Sequence, residues 1–263
     1  MASSPIKLKF AANISTMFQD LPITDRFEAA KKKGFTAVEA QCLYEYDPKS
    51  LREAKLSADI DVVLINSPLG DVDTFGLASV PGQEVGFIKS IQQATVYANA
   101  VDCKTVHIMA GTKRADHLED DLFNIYLNNM RVGVEMLEEY NLSAVIEPIC
   151  KEVKENYFLD SFDKAVQIIS EVNSPNLKLL LDVYHLHMLG LNPESSVPSY
   201  LEYAGHVQIS QAPQRNEPFA TGLIDYEEVL NILQERKYNG YIGLEYTPSD
   251  PVKGFEWLES YGF

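Results

Sequence analysis

Short apolar runs recur eight times along this 263-residue chain and alternate with amphipathic segments. Most of the runs are unbroken rather than strictly alternating, which is typical of β-strands that are covered on both faces. The predicted strands are residues 7–13, 36–40, 61–68, 104–111, 143–148, 177–182, 206–210 and 241–246. Strands of this kind belong to a parallel sheet whose faces are covered by helices.

The segments between the strands have helical spacing of their apolar residues. The clearest cover 128–140, 161–172 and 226–238, with Ser161 as a candidate N-cap of the second. Gly34, at the end of an earlier run, is a candidate helix stop. Eight strand–helix units favour an α/β fold closed into one (β/α)8 barrel over an open sheet. The length fits a single barrel domain over 1–263, with the tail 252–263 as a last helix covering it.

The charge balance limits the partners of the chain. Its formal net charge is −16 and its calculated pI is about 4.7. A phosphate backbone would be repelled, so we expect no nucleic-acid partner, and anionic membranes are disfavoured for the same reason. A small anionic substrate is still compatible, because a local arginine or metal can dominate the field inside a cleft.

Cysteine usage and the first residues bear on the compartment. The three cysteines are an odd number without framework spacing, which predicts reduced thiols. The first ten residues lack the long apolar core of a signal peptide. We therefore expect a cytoplasmic protein, and both a monomer and a homo-oligomer are compatible with the composition.

Four of the predicted strands carry a metal-capable side chain at or near their C-terminal ends: Glu147, Asp182, Gln208 and Glu245. They are 35, 26 and 37 residues apart, about one strand–helix unit each. In a (β/α)8 barrel these strand ends meet at one mouth, where active sites are built. Carboxylate and amide oxygens suit a hard divalent cation. The pattern predicts a metal-dependent enzyme for a small oxygenated substrate.

Several strings along the chain together resemble the hydroxypyruvate isomerase family, a branch of the xylose-isomerase-like TIM barrels. They are FAANISTMF (10–18), HIMAG (107–111), IEP (146–148), GHVQISQAPQRNEP (205–218), GLIDY (222–226) and GLEY (243–246). The resemblance implies a divalent metal, Mg or Mn, and interconversion of hydroxypyruvate, a ketoacid, with tartronate semialdehyde, as in glyoxylate metabolism. It implies Glu147 and Glu245 as the paired glutamates, with Asp182 and Gln208 completing the metal set.

The chain departs from the family pattern around the predicted mouth, at the third-strand loop NSPLGD (66–71), at Cys150, at ENYF (155–158) and at His187. These departures bear on the substrate more than on the fold. Two alternatives therefore stay open: an epimerase or isomerase for a longer ketose or ketoacid, and a non-catalytic relative that binds a ligand.

The chemistry of such an isomerisation assigns roles to the glutamates. A proton moves between adjacent carbons, so one carboxylate removes it and a second group redelivers it. Glu147 and Glu245 suit these catalytic roles, since opposite strands can hold them on two sides of one substrate. A single strand-end acid more often caps a helix or pairs with a lysine, but four at barrel spacing favour a site.

Five further residues are candidates for substrate binding: His185, Arg215, His107, Asn66 and Glu217. Arg215 offers a bidentate grip on a carboxylate, and Glu217 is a candidate to orient it. His185 follows Asp182 closely and is expected to bind substrate or support the metal, although a packed histidine is its main alternative. His185 and His187 form an H-x-H pair. Zinc-binding pairs in amidohydrolase barrels lie on the first strand, so zinc is disfavoured for this pair.

Overall fold

The structure is a computed structural model that describes residues 6–71, 73–114, 116–251 and 253–263. Its strands form a closed barrel in which every neighbouring pair is parallel, and β1 pairs with β8 to complete the ring. The predicted (β/α)8 architecture is therefore confirmed. The strands are β1 Lys9–Asn13, β2 Ala37–Ala40, β3 Asp61–Asn66, β4 Thr105–His107, β5 Ser143–Ile146, β6 Leu177–Asp182, β7 Ala204–Ile209 and β8 Tyr241–Leu244.

Helices follow the strands and cover the outside of the barrel. They are α1 Ile23–Lys32, α2 Pro48–Ala58, α3 Glu84–Ala100, α4 Glu119–Glu138, α5 Phe162–Val172, α6 Val183–Met188, α7 Pro193–Tyr200 and α8 Tyr226–Glu235. The predicted N-cap is confirmed at α5, where the Ser161 hydroxyl accepts the backbone N–H of Lys164. Gly34 has a φ of +99° just beyond the end of α1, which is the conformation expected of a helix-stopping glycine.

Several predicted elements have other bounds in the structure: β3, β5 and β8 each end two residues earlier than predicted, and α4 begins at Glu119 rather than at residue 128. β4 ends at His107, whereas the prediction ran to residue 111. The chain turns away because the backbone N–H groups of Met109 and Ala110 donate to the side chains of Ser67 and Tyr157, not to a neighbouring strand. The tail forms a 3₁₀-helix over Lys253–Tyr261, which packs Trp257 against Phe10; residue 252 lies outside the described residues.

The alternation of side chains along each strand decides what faces the barrel interior. Leu64, Val145 and Leu180 form a buried cluster separate from the main core between sheet and helices. Since side chains two residues apart share a face, Glu147 and Asp182 point to the same interior, one layer nearer the C-terminal mouth. The apolar layer thus forms a floor beneath a polar one.

Candidate active site

The structure brings the four predicted strand-end residues into one buried polar layer. Glu147 follows β5, Asp182 ends β6, Gln208 lies in β7 and Glu245 follows β8. Their exposed fractions run only from 0% to 7%. Burial of three carboxylates so close together is costly unless positive charge is supplied in or beside this layer.

Distances define how tightly the acids converge. Glu147, Asp182 and His185 each offer one potential ligand atom, and these three atoms all lie within 4.8 Å of one another. The Arg215 Nη2 atom lies 3.0 Å from both Asp182 Oδ2 and Glu245 Oε1, which places Glu245 beside the same cluster. The acids of β5, β6 and β8 therefore share one small volume.

The pKa values of these acids reflect that crowding. Burial raises the pKa of Asp182 to about 6 and that of Glu245 to about 7, and the Arg215 guanidinium opposes both shifts. Burial, followed by the charges of Glu245 and Asp182, raises the pKa of Glu147 well above its ordinary value. A cation bound between them would relieve this repulsion and favour the charged forms.

His185 has a defined tautomer in this site. Its Nδ1 accepts the backbone N–H of Cys150 at 3.1 Å. Burial, then Arg215 and His107, lowers its pKa well below the ordinary value, so the ring is neutral and its proton resides on Nε2. That Nε2 lies 3.6 Å from Asp182 Oδ2 and 3.8 Å from Glu147 Oε1. His185 therefore presents an N–H donor to the site, which is unsuited to ligation of a metal.

Arg215 is held in place from several sides. Its guanidinium stacks 4.6 Å above the ring of Tyr184, and its backbone adopts a left-handed φ of +52°. Its backbone N–H donates to the Gln211 carbonyl at 2.8 Å, and its own carbonyl accepts from Thr247 at 3.0 Å. The loop thus carries Arg215 into the cavity, where it supplies charge to Asp182 and Glu245.

The structure places Glu217 elsewhere than expected. Its carboxylate accepts the backbone N–H of Ser249 at 2.9 Å and the hydroxyl of the same residue. The expected support of Arg215 by Glu217 is therefore wrong, and Glu217 instead ties the loop after β7 to the loop after β8. Arg215 pairs with the acids at the strand ends because an unpaired charge costs more free energy on a buried carboxylate than on the partly exposed Glu217.

His107 and Asn66 line the same cavity from β4 and β3. His107 Nδ1 lies 3.6 Å from Glu147 Oε2, and its Nε2 is buried without a hydrogen-bond partner among the described residues. Burial, followed by His206, lowers the pKa of His107 to about 3, so this ring is neutral. Asn66 Nδ2 contacts the Met109 sulfur at 3.5 Å, a weak acceptor that leaves the amide available to a ligand.

Gln41 is a site residue that the sequence analysis did not single out. Its Nε2 donates to Glu245 Oε1 at 2.7 Å. It stands two residues after Glu39, just beyond β2, so it occupies the strand-end position used by the four predicted residues. The criterion used for those four, a polar residue at or near the C-terminal end of an apolar strand, also applies to Gln41.

The cavity enclosed by these residues has a volume of about 290 Å³. That is just below the usual range for ligand pockets, about 300–1,000 Å³, and fits a substrate of few heavy atoms. Apolar side chains also form part of the cavity wall: Leu69, Phe75, Met109, Ile149 and Val153. The site therefore combines charged groups with an apolar lining, which strengthens electrostatic interactions by lowering the local dielectric constant.

The unusual ENYF segment (155–158) supports the cavity from outside. Tyr157 is 2% exposed, and its hydroxyl accepts the backbone N–H of Ala110 at 2.8 Å. Its ring also packs edge-on against Phe75, which lines the cavity. This departure from the family pattern thus acts on the apolar wall.

Comparison with known proteins agrees with this geometry. The model of the xylose isomerase-like TIM barrel family matches residues 27–261. The chain belongs to this family. Within it, the chain is 30% identical to the hydroxypyruvate isomerase of Escherichia coli over 257 residues, covering 97% of this chain and 99% of the other. The hydroxypyruvate isomerase resemblance is confirmed, and the relatives that carry it are enzymes of the isomerase class.

Two further relatives bear on function. The 2-oxo-tetronate isomerase of Haemophilus influenzae is 33% identical over 256 residues, covering 96% of this chain and 99% of its own. A crystal structure from Brucella melitensis, described as an AP endonuclease of family 2, superposes with a TM-score of 0.92. That protein is 30% identical, and the match covers 97% of this chain and 99% of the other. Within the described residues, no helix is long and apolar enough to cross a membrane.

Proposed function

We propose that this family member is a metal-dependent isomerase that interconverts hydroxypyruvate and tartronate semialdehyde. The observation that carries the proposal is the convergence of three buried carboxylates and an amide oxygen at the C-terminal mouth of the barrel. Its membership of the hydroxypyruvate isomerase family supports the same assignment.

The residues of this layer fit a hard divalent cation, Mg or Mn. Glu147 Oε1 and Gln208 Oε1 are buried side-chain oxygens without a hydrogen-bond partner among the described residues. Together with Asp182 and Glu245 they would form an all-oxygen ligand set, which these cations prefer. The ion would polarise the substrate's carbonyl and hydroxyl oxygens and stabilise the enediolate charge.

Proton transfer is the task of the two glutamates. In the forward direction a carboxylate removes a proton from C3 of hydroxypyruvate, and a proton is delivered to C2, while the hydroxyl proton on C3 passes to the oxygen on C2. Glu147 follows β5 and Glu245 follows β8, so they approach the cavity from well-separated strands. Each carries a carboxylate, which can take up a proton from one carbon and release it to the next.

The substrate carboxylate would be bound by the guanidinium of Arg215 and by the neutral N–H donors that line the cavity. Arg215 supplies a planar guanidinium that can grip a carboxylate with two hydrogen bonds. His185 offers its Nε2–H next to the same position, and Asn66 and His107 offer further polar contacts. The small volume of the cavity favours a three- or four-carbon acid.

A second candidate is a four-carbon ketoacid of the 2-oxo-tetronate type. The Haemophilus relative of that name is 33% identical and matches this chain nearly end to end, which makes the longer acid a specific alternative. Cleavage of DNA is disfavoured, because a net charge of −16 repels the phosphate backbone.

A substrate panel tests the proposal directly. The purified protein is assayed with hydroxypyruvate, 2-oxo-tetronate, a neutral ketose and an abasic-site duplex, with Mg or Mn and with chelator. We expect turnover of hydroxypyruvate that the chelator abolishes. Preference for the four-carbon acid would establish the second candidate, and turnover unaffected by chelator would overturn metal dependence.

A further inference from the structure

A fourth buried carboxylate, Glu39 of β2, lies in the barrel interior beside the candidate metal ligands. It is 1% exposed, and three N–H donors converge on it. Asn13 Nδ2 donates to Oε1 at 2.9 Å, Gln208 Nε2 donates to Oε1 at 2.7 Å, and His206 Nε2 donates to Oε2 at 2.6 Å. Glu39 is not among the described residues that line the cavity, so its direct partners are protein groups.

A glycine on β8, two strands away in the ring, leaves room for this carboxylate in the interior. A Cβ atom placed on Gly243 of β8 would lie 2.1 Å from Glu39 Oε2, far inside van der Waals contact. Any side chain at 243 would therefore push Glu39 out of reach of β7. The glycine keeps open the space through which Glu39 reaches across the barrel to Gln208.

The contact with Glu39 decides which end of the Gln208 amide faces the site. An amide side chain offers an oxygen acceptor at one end and an NH₂ donor at the other, and the two ends have almost the same shape. A carboxylate can only accept hydrogen bonds, so it selects the NH₂ end of Gln208. The Oε1 end is left buried and without a hydrogen-bond partner among the described residues, and Gln208 lines the cavity together with Glu147 and Glu245.

We propose that Glu39 is a positioning residue that fixes the Gln208 amide with its oxygen toward the metal-binding layer. The inference rests on the proposed function, because it takes Gln208 Oε1 as a metal ligand. Without an acceptor at position 39 the amide can rotate, and in the reversed orientation its N–H groups would repel the cation. The role of Glu39 is thus exerted through Gln208.

The test measures metal binding rather than turnover. Mn²⁺ is titrated calorimetrically into the purified full chain and into two variants at one position. Glu39→Met removes the acceptor at similar size, whereas Glu39→Gln keeps an oxygen for Gln208 Nε2 but removes the charge. We expect Glu39→Met to weaken Mn²⁺ binding about 10–100-fold, the usual cost of losing a partner behind a ligand, and Glu39→Gln to stay close to wild type.

A second background separates positioning from a general effect on the barrel. In Gln208→Glu the ligand becomes a carboxylate with two equivalent oxygens, which needs no orientation. Combined with Gln208→Glu, the Glu39→Met and Glu39→Gln substitutions should give the same Mn²⁺ affinity. Circular dichroism checks folding, and Glu39→Asp, too short to reach Gln208, replaces Glu39→Met if that variant does not fold.

The outcomes are distinguishable. If wild type binds Mn²⁺ and Glu39→Met binds it equally well, Glu39 has no positioning role while the proposed function stands. If Glu39→Gln weakens binding as much as Glu39→Met, the charge of Glu39 matters and the orientation argument is overturned. If wild type binds no Mn²⁺, the proposed metal site itself fails, and this inference fails with it.

Discussion

The two halves of the barrel face one cavity with different chemistry. Among the described residues, the carboxylates at the cavity come from the β5–β8 half. Glu147 and Glu245 line the cavity, and Asp182 contacts Arg215, the arginine of the lining, which follows β7. The β1–β4 half contributes neutral and apolar side chains: Thr16, Gln41, Cys42, Asn66, Leu69, Phe75, His107 and Met109. Among the described residues, the β5–β8 half therefore supplies all the carboxylates and the arginine of the cavity lining, whereas apolar side chains come from both halves, since Ile149 and Val153 follow β5.

This division has a physical reason. Acids placed all round the ring would repel each other across an interior of low dielectric, whereas acids grouped on neighbouring strands can share one cation. The β1–β4 half does hold an acid, Glu39, but its side chain is turned to β7 and satisfied by three donors. We expect substitutions in the charged half to have much larger effects than those in the neutral half.

The largest effect is expected for the two glutamates. Glu147→Gln and Glu245→Gln each replace a proton carrier by an amide that cannot carry a proton. Turnover of hydroxypyruvate should fall about 10²–10⁴-fold for each. Steady-state kinetics measure the loss, circular dichroism checks the fold, and Glu135→Gln on the exposed face of α4 is the matched control. Near-normal turnover by either variant would exclude that glutamate from the mechanism.

Metal binding should stabilise the fold through the charged half alone. At a concentration 100 times its dissociation constant, Mn²⁺ should raise the free energy of unfolding by about 2.7 kcal/mol, because the unfolded chain lacks the site. Denaturant unfolding with and without chelator measures the gain. Asp182→Asn should lose most of it, whereas Asn66→Ala in the neutral half should keep it. An equal gain in both variants would place the ion elsewhere.

Arg215→Lys tests the arginine that lines the charged half. Lysine keeps the charge but lacks the planar fork, so KM for hydroxypyruvate should rise about tenfold while KM for a neutral ketose changes little. Competition kinetics with both substrates measure the difference. If ketoacid kinetics are unchanged, Arg215 serves only to neutralise Asp182 and Glu245, with which it pairs in the structure.

The smallest effect is expected in the neutral half. Asn66→Ala removes one uncharged hydrogen bond to substrate, worth about 0.5–1.5 kcal/mol, so KM should rise about 2–10-fold with kcat nearly constant. The amide of Asn66 donates within the protein to a weak acceptor, the Met109 sulfur, so stability should change little. A loss as large as that of Glu147→Gln would show that the two halves do not differ as argued.

The sequence predicted the fold well because strand and helix periods are local. Eight apolar runs led to eight strands, and the boundary errors arose where the chain leaves the sheet. β4 is the clearest case, since residues 108–111 are apolar like a strand but Met109 and Ala110 bond to Ser67 and Tyr157. Those partners lie 42 and 47 residues away in sequence, so no local pattern could reveal them.

The sequence by itself determined that polar side chains end the strands on one face, because parallel strands and a period of two send Glu147, Asp182, Gln208 and Glu245 to the same mouth. Only the tertiary structure decided how these groups are paired. In the structure, Arg215 forms ion pairs with Asp182 and Glu245. Glu217 accepts a hydrogen bond from Ser249, and Glu39 accepts one from Gln208. The reason is that the period of a strand is a local property, whereas the pairing of buried charges is settled by competition among residues distant in sequence.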